Sequence, residues 1–159
     1  MTFSLPSNWD ELDDDARVWL WSSPRILSTE QQEIISSRLG SFVTQWTSHH
    51  VALKARACTM LDHFVIVGLD ESASTSASGC SIDSLTHAIQ AMSKDLDLDL
   101  QDRTTFFFLI DGKVEPMPMT QIDGVTPDTH VVDTLVKSKK DLQENWIKPV
   151  KESWHARFL

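Results

Sequence analysis

Val51-Ala-Leu-Lys-Ala-Arg-Ala-Cys-Thr-Met-Leu-Asp-His-Phe-Val-Ile-Val67 decides the fold. Its first part alternates, with Val51, Leu53, Ala55 and Ala57 on one side and Lys54, Arg56, Cys58 and Met60 on the other. Asp62-His63 is a tight connection, and Phe64 to Val67 is a second β-prone run. Two such runs, joined so closely, form an antiparallel hairpin.

Working outward, each flank carries a helix and then a strand. Upstream, Ser28 and Gln31 make a capping box. Ile34, Ile35, Leu39, Phe42, Val43 and Trp46 follow at helical spacing and predict a helix over 28–47. Before it, Arg17-Val-Trp-Leu-Trp-Ser22 alternates as a strand and Ser23-Pro24 breaks it. Downstream, Ile82, Leu85, Ile89, Met92 and Leu96 predict a helix over 81–95. Thr104 to Ile110, with Phe106-Phe-Phe108, is the fourth strand. Asp111-Gly112 is a hairpin turn, and Pro116 and Pro118 confine the next strand, Lys113 to Met119, to a sheet edge.

The order β-α-β-β-α-β predicts an α+β, ferredoxin-like sandwich with an added hairpin strand and a C-terminal helical extension. Such a sheet carries both helices on one face. At 159 residues, with 41% hydrophobic residues, the chain is read as a single domain. Residues 1–15 are an acidic lead-in, ending Asp13-Asp14-Asp15, read as a solvated segment that Trp9 could pin to the body. Residues 16–119 form the sandwich core, and 120–159 form an extension over the open face of the sheet. Within that extension, Ser138 with Asp141 starts a third helix that carries Leu142 and Trp146 and stops at Pro149.

Acidic residues outnumber basic ones, 23 to 14, for a formal charge of −9 and a pI near 4.9. Such a surface repels phosphate backbones and anionic lipids, so neither nucleic acid nor membrane is an expected partner. The start of the chain has no basic segment followed by an apolar run, and no stretch approaches the length of a membrane span. With only Cys58 and Cys80, the expectation is a cytoplasmic protein with free thiols.

The two sheet faces carry the functional expectation. Val18 and Leu20, with Leu53, Ala55 and Ala57, are expected to meet the helices. Arg17, Trp19 and Trp21, with Lys54, Arg56, Cys58 and Met60, then share the opposite face. A basic and aromatic face admits three readings. It could stack single-stranded RNA, against which stand the negative charge and the lack of an RNP-like run. It could bind a small acidic or phosphorylated molecule through Arg17, Lys54 and Arg56. Or Trp146, Trp154 and Phe158 could fold over it and bury it, leaving a small cleft. The last is preferred. Arg103, beside Asp102, is either a structural pair or a further anion contact.

The run Ser72-Ala-Ser-Thr-Ser-Ala-Ser-Gly-Cys-Ser-Ile-Asp83 reads as a mobile loop entering a helix N-terminus. Unpaired N–H groups and the helix dipole there could hold an anion through Ser78, Gly79 and Ser81, or activate the Cys80 thiol. Asp83, read as lying in the first turn, competes for the same groups and favours an ordinary cap. A nucleophilic Cys80 would need a base. His87 points away from the loop, and His155 is within reach only if the tail folds back. No H-x-x-x-H or C-x-x-C spacing occurs, so neither a metal nor a cofactor is expected. Asp95, Asp97 and Asp99 read as a solvated edge. The phosphate-loop, dinucleotide and nucleophile-elbow signatures are absent. The function expected is binding, of an acidic small molecule or a protein partner. The alternative is a thiol-dependent enzyme or redox sensor using Cys80.

Ala16-Arg-Val-Trp-Leu-Trp21, Arg25, Gln45-Trp46, Ala77-Ser-Gly-Cys-Ser-Ile-Asp-Ser84, Asp102-Arg103 and Ser153-Trp-His-Ala-Arg-Phe158 together resemble a family of small uncharacterised bacterial proteins. Its members often carry the label "ABC transporter ATPase". That activity requires a Walker lysine loop, and none is present here. The resemblance spans the chain from Ala16 onward and implies shared fold boundaries. It brings no catalytic residues with it.

Overall fold

The computed structural model describes residues 3–72 and 76–159. In chain order, a 3-10 helix, Ser7–Glu11, precedes β1 (Arg17–Ser22) and α1 (Thr29–Gln45). A miniature hairpin follows, β2 (Thr47–Ser48) and β3 (Val51–Ala52), then the long pair β4 (Lys54–Met60) and β5 (Phe64–Asp70). Next come α2 (Gly79–Asp95), β6 (Thr105–Ile110), β7 (Lys113–Pro118), β8 (His130–Val132), α3 (Lys139–Asn145) and β9 (Ile147–Pro149). Two 3-10 helices, Val150–Glu152 and Trp154–Phe158, close the chain.

The local signals act as expected. Ser28 caps α1, with Gln31 bonding back to it. The hydroxyls of Ser78 and Ser138 accept from the backbone N–H groups of Ser81 and Asp141 and so cap α2 and α3. Asp111 and Gly112 both have positive φ, as the tight β6–β7 turn requires. Proline lacks an N–H, and Pro116 and Pro118 lie two residues apart on β7, an edge strand.

The molecule is α+β, but the sheet is divided. β1, β5 and β4 form one antiparallel sheet with β5 in the centre. β6 does not pair with β1. It joins a second sheet of order β7-β6-β8-β9. Only the β1-β5-β4 part of the ferredoxin-like strand order is therefore seen among the ladders. The outer edge of β1 is met instead by the chain entering α3: the Val18 N–H donates to the Lys137 carbonyl at 3.0 Å, and Arg17 bridges Ser138.

Each face of the first sheet is buried. Val65, Val67, Leu69, Leu53 and Ala55 pack under α1 and α2. Val18, Phe64, Ile66 and Cys58 pack on the other face against Phe107, Val132, Val136, Leu142 and Trp146. A third cluster, Phe106, Phe108, Val131 and Val150, lies on the far side of the second sheet. β6 thus sits between two cores, which is why Phe106, Phe107 and Phe108 are all buried in succession.

Three expectations are corrected. First, the phase of β1 is reversed: Trp19 and Trp21 pack at the helix-side core, whereas Val18 and Leu20 belong to the opposite one. The register enforces this, since Trp19 lies across from Val67 and Val67 from Ala57. Second, residues 1–15 are not merely an acidic lead-in. Trp9 is fully buried and Leu12 nearly so, seated over Gly68. Third, the extension beyond residue 120 divides its contacts. Val132, Val136, Leu142 and Trp146 help cover the first sheet, while Val150 and Trp154 cover the second. The middle of the serine-rich stretch, residues 73–75, lies outside the described residues.

Candidate functional site

The expected basic face does not form. Arg17 lies in register with Leu69 and Ala55, on the helix side, and its guanidinium sits 4.6 Å from the centre of the Trp19 ring. Lys54 and Arg56 lie on the other side, and both are engaged by the N-terminal segment or its anchor. Lys54 faces Asp70 at 3.8 Å. Arg56 pairs with Glu11 and donates to the Asn8 carbonyl. Asp70 also accepts from the Asp13 N–H and from the N–H and hydroxyl of Ser72. Burial alone would raise the Asp70 carboxyl, but these hydrogen bonds and the Lys54 charge bring it down to about 2. The two cations therefore fasten the lead-in over the sheet, and the hollow expected on this face is filled by Trp9, Trp146 and their neighbours.

The open space lies instead at the seam between the two sheets. A cleft of about 540 Å3 runs along Trp19, Leu20, Trp21 and Ser22 of β1. Thr86 of α2, Thr105 and Phe106 of β6, the 100–103 connection, Thr134, Leu135 and Trp154 complete its walls. Each wall has its own support. Trp19 is held edge-on to Trp46 and under Arg17. The Trp154 indole N–H donates to Asp133 at 3.0 Å, and its ring stacks on His155 at 3.7 Å. Lys148 pairs with Asp133 at 3.3 Å. Burial works to raise the Asp133 carboxyl, and the Trp154, Leu135 and Lys148 contacts outweigh it and hold it below the ordinary carboxylate range.

Two charged residues line the cleft, Asp102 and Arg103. The Asp102 carboxylate is occupied: it accepts from the N–H and hydroxyl of Thr104 at 3.0 and 2.6 Å and from the Thr105 hydroxyl at 2.5 Å. These bonds overcome the effect of burial and keep it ionised below its usual range. The exposed Arg103 has no carboxylate within ion-pair distance among the described residues. The cleft therefore carries one carboxylate and one guanidinium, and of the two only Arg103 has no hydrogen-bond or ion-pair partner for its side chain among the described residues.

Ser78, Gly79, Cys80 and Ser81 come together in a separate, shallower groove with Thr47, His49, His50 and Ser84. Cys80 is exposed and one position inside α2. Its neighbours serve the helix cap. The Ser78 and Ser81 hydroxyls are 2.8 Å apart, and Ser81 also bonds the Thr47 carbonyl. Asp83 lies beyond the first turn of α2, because the helix starts at Gly79 rather than residue 81. His155 is not in this groove. It is buried beside Phe106 and Trp154, accepting or donating at Nδ1 with the Ser153 hydroxyl at 2.6 Å. Burial lowers its pKa to about 4. His87 is exposed on α2 and lines neither space. Cys58 is buried and free, and burial pushes its thiol up to about 12.

Of the candidate residues, Arg103 alone lines the larger cleft. Sequence reasoning missed Thr134 and Leu135 altogether, and it put Trp19 and Trp21 at a different face. Among the described residues no group of three or more His, Cys, Asp or Glu side chains is arranged to hold a metal ion. Asp95 instead pairs with Arg38 at 2.9 Å. No described helix is long and apolar enough to cross a membrane. Compared with family models, curated proteins and solved structures, the chain gives no match.

Proposed function

We propose that this is a binding protein, and that the seam cleft takes a ligand bearing a carboxylate or similar anion. The observation that carries the reading is the unpaired Arg103 facing the same cleft of about 540 Å3 as three indoles, Trp19, Trp21 and Trp154. A cleft of that size is in the range of ligand sites, and a few polar groups among aromatic walls give orientation and specificity. Arg103 would accept the anion in a bidentate fork, and the indoles would cover its apolar part. The β1-β5-β4 order, with α1 and α2 on one face, further supports a ferredoxin-like unit whose fourth strand position has been left open. The two free thiols suit a reducing, cytoplasmic setting. The alternative thiol chemistry at Cys80 has less support, since His155 belongs to a different cluster.

Glutarate, titrated into isotope-labelled protein and followed by amide NMR, tests the reading. Saturable shifts confined to residues 19–22, 102–106 and 134–135 are expected. Arg103→Ala should weaken binding about tenfold or more, the worth of one charged hydrogen-bond pair. Shifts unchanged by Arg103→Ala would reject the assignment.

A further inference from the structure

We infer that the occupant of the seam cleft is an extended peptide strand that pairs with the outer edge of β1 and presents an Asp or Glu to Arg103. This rests on the cleft being a binding site and goes on to name its partner class.

The backbone of β1 supplies the first reason. In an antiparallel ladder, main-chain groups alternate between the two neighbours. Ser23 donates inward, to the His63 carbonyl at 2.7 Å. Val18 donates outward to Lys137 at 3.0 Å, and the Ala16 carbonyl accepts outward from Lys139 at 2.8 Å. Even-numbered residues therefore point away from β5. The next two in that phase are Leu20 and Ser22, and neither has a main-chain partner on this side among the described residues. Both line the cleft. The Lys137–Ser138 segment thus makes the first contacts of a missing strand and then departs into α3.

The opposite bank points the same way. β8 pairs with β6 at Phe108 and Leu109, and the Thr105 end of β6 has no ladder neighbour on that side among the described residues. That end also lines the cleft. Exposed sheet edges in native proteins are usually blocked by charge, proline or a covering segment. Here Trp19-Leu-Trp-Ser22 carries none of these within it, the first charge being Arg17 and the first proline Pro24. Four residues of strand span about 13 Å, enough for two further rungs. The preference for an acidic residue comes from Arg103, whose guanidinium donors have no partner among the described residues, whereas the Asp102 oxygens are already taken by Thr104 and Thr105.

The test selects displayed random heptapeptides on the intact protein, counter-selects on Arg103→Ala, and resynthesises the best binder in two N-methylated forms. One form is methylated at odd positions and the other at even positions. Methylation removes N–H donors but keeps the side chains. The expected result is a peptide containing Asp or Glu whose affinity falls at least about tenfold in one phase and little in the other. Equal losses in both phases, equal retention in both, or no enriched peptide would overturn the inference. Shifts with glutarate but no peptide would overturn it while leaving the cleft reading intact. Silence to both would reject both. Amide shifts that depend on protein concentration alone would assign the edge to a second copy of the chain, and so reject the peptide.

Discussion

Replacing Gly68 by Ala should act through Trp9, fifty-nine residues (68 − 9) away in sequence. A Cβ built on Gly68 would lie 2.5 Å from Cζ3 and 2.8 Å from Cη2 of the Trp9 ring, and 3.1 Å from a Leu12 methyl. The indole has no free direction to move, being fully buried against the first sheet. Away from such contact, Ala in a strand would gain about 0.5–1 kcal/mol over Gly. Overpacking costs about 1–3 kcal/mol, and complete ejection of the ring would approach the about 3–5 kcal/mol of a Trp→Ala change. The expected net loss is about 2 kcal/mol, or roughly 4–8 °C in Tm for a domain of this size. Urea denaturation of four proteins measures it: wild type, Gly68→Ala, Trp9→Ala and the double variant. In the Trp9→Ala background the Gly68→Ala penalty should vanish, leaving a coupling of about 1–3 kcal/mol. A penalty that is the same in both backgrounds would refute the seating of Trp9 on β5.

Ser78→Ala should cost about 1 kcal/mol by removing the cap of α2, and Ser78→Gly clearly less; urea midpoints would show the difference. Iodoacetamide at neutral pH should label exposed Cys80 in the folded protein and reach Cys58 only after unfolding, and peptide mass mapping would reveal early Cys58 modification if its burial were misplaced. His155, lowered to about 4 from 6.5, binds a proton in the unfolded chain before it does in the folded one. Stability should be full above pH 6.5 and decline toward pH 4 by up to about 3 kcal/mol, and His155→Gln should flatten that slope in denaturation curves taken across the window. Asp70, lowered from 3.8 to about 2, contributes stability that persists above 3.8 and is lost as pH falls toward 2, so Asp70→Asn should reduce the further loss in that lower window.

The helices and the central hairpin were legible because their signals are local. Ser28 with Gln31, Ser78, Ser138 and Asp111-Gly112 mark ends and turns that depend only on nearby backbone. The faces of β1 were harder to read. Val18 and Leu20 are apolar, and so are Trp19 and Trp21, so alternation alone leaves the choice of face open. Only the register against β5 decides it. The three-residue strands β8 and β9 have too few positions to show a period, and their partners lie far away in sequence. Trp9 sits among Asn8, Asp10 and Glu11, and that acidic setting conceals the burial of a single large side chain. As for the site, Arg103 was singled out from its residue type, but its partners in the cleft come from β1, β6 and the 134–135 connection. No spacing in one segment encodes such a convergence.

The division of the sheet and the position of the cleft have one cause. β6 has apolar side chains toward both faces, with Phe107 in one core and Phe106 and Phe108 in another. A fourth strand completing the β1-β5-β4 sheet would have needed apolar cover on both of its faces. Instead, β7, β8 and β9 build a second layer around β6, and Val150 and Trp154 close its far side. Burying three phenylalanines gains several kcal/mol of transfer free energy, at about 1.5–3 kcal/mol for each such side chain. Pairing β6 with β1 would add only a few ladder bonds, each worth about 0.5–1.5 kcal/mol net. Side-chain burial wins, and the unpaired stretch of β1 follows from it. The main-chain donors and acceptors of Leu20 and Ser22 are then left facing a walled space beside an unpaired arginine, the conditions under which an incoming strand can replace water at little cost to the fold.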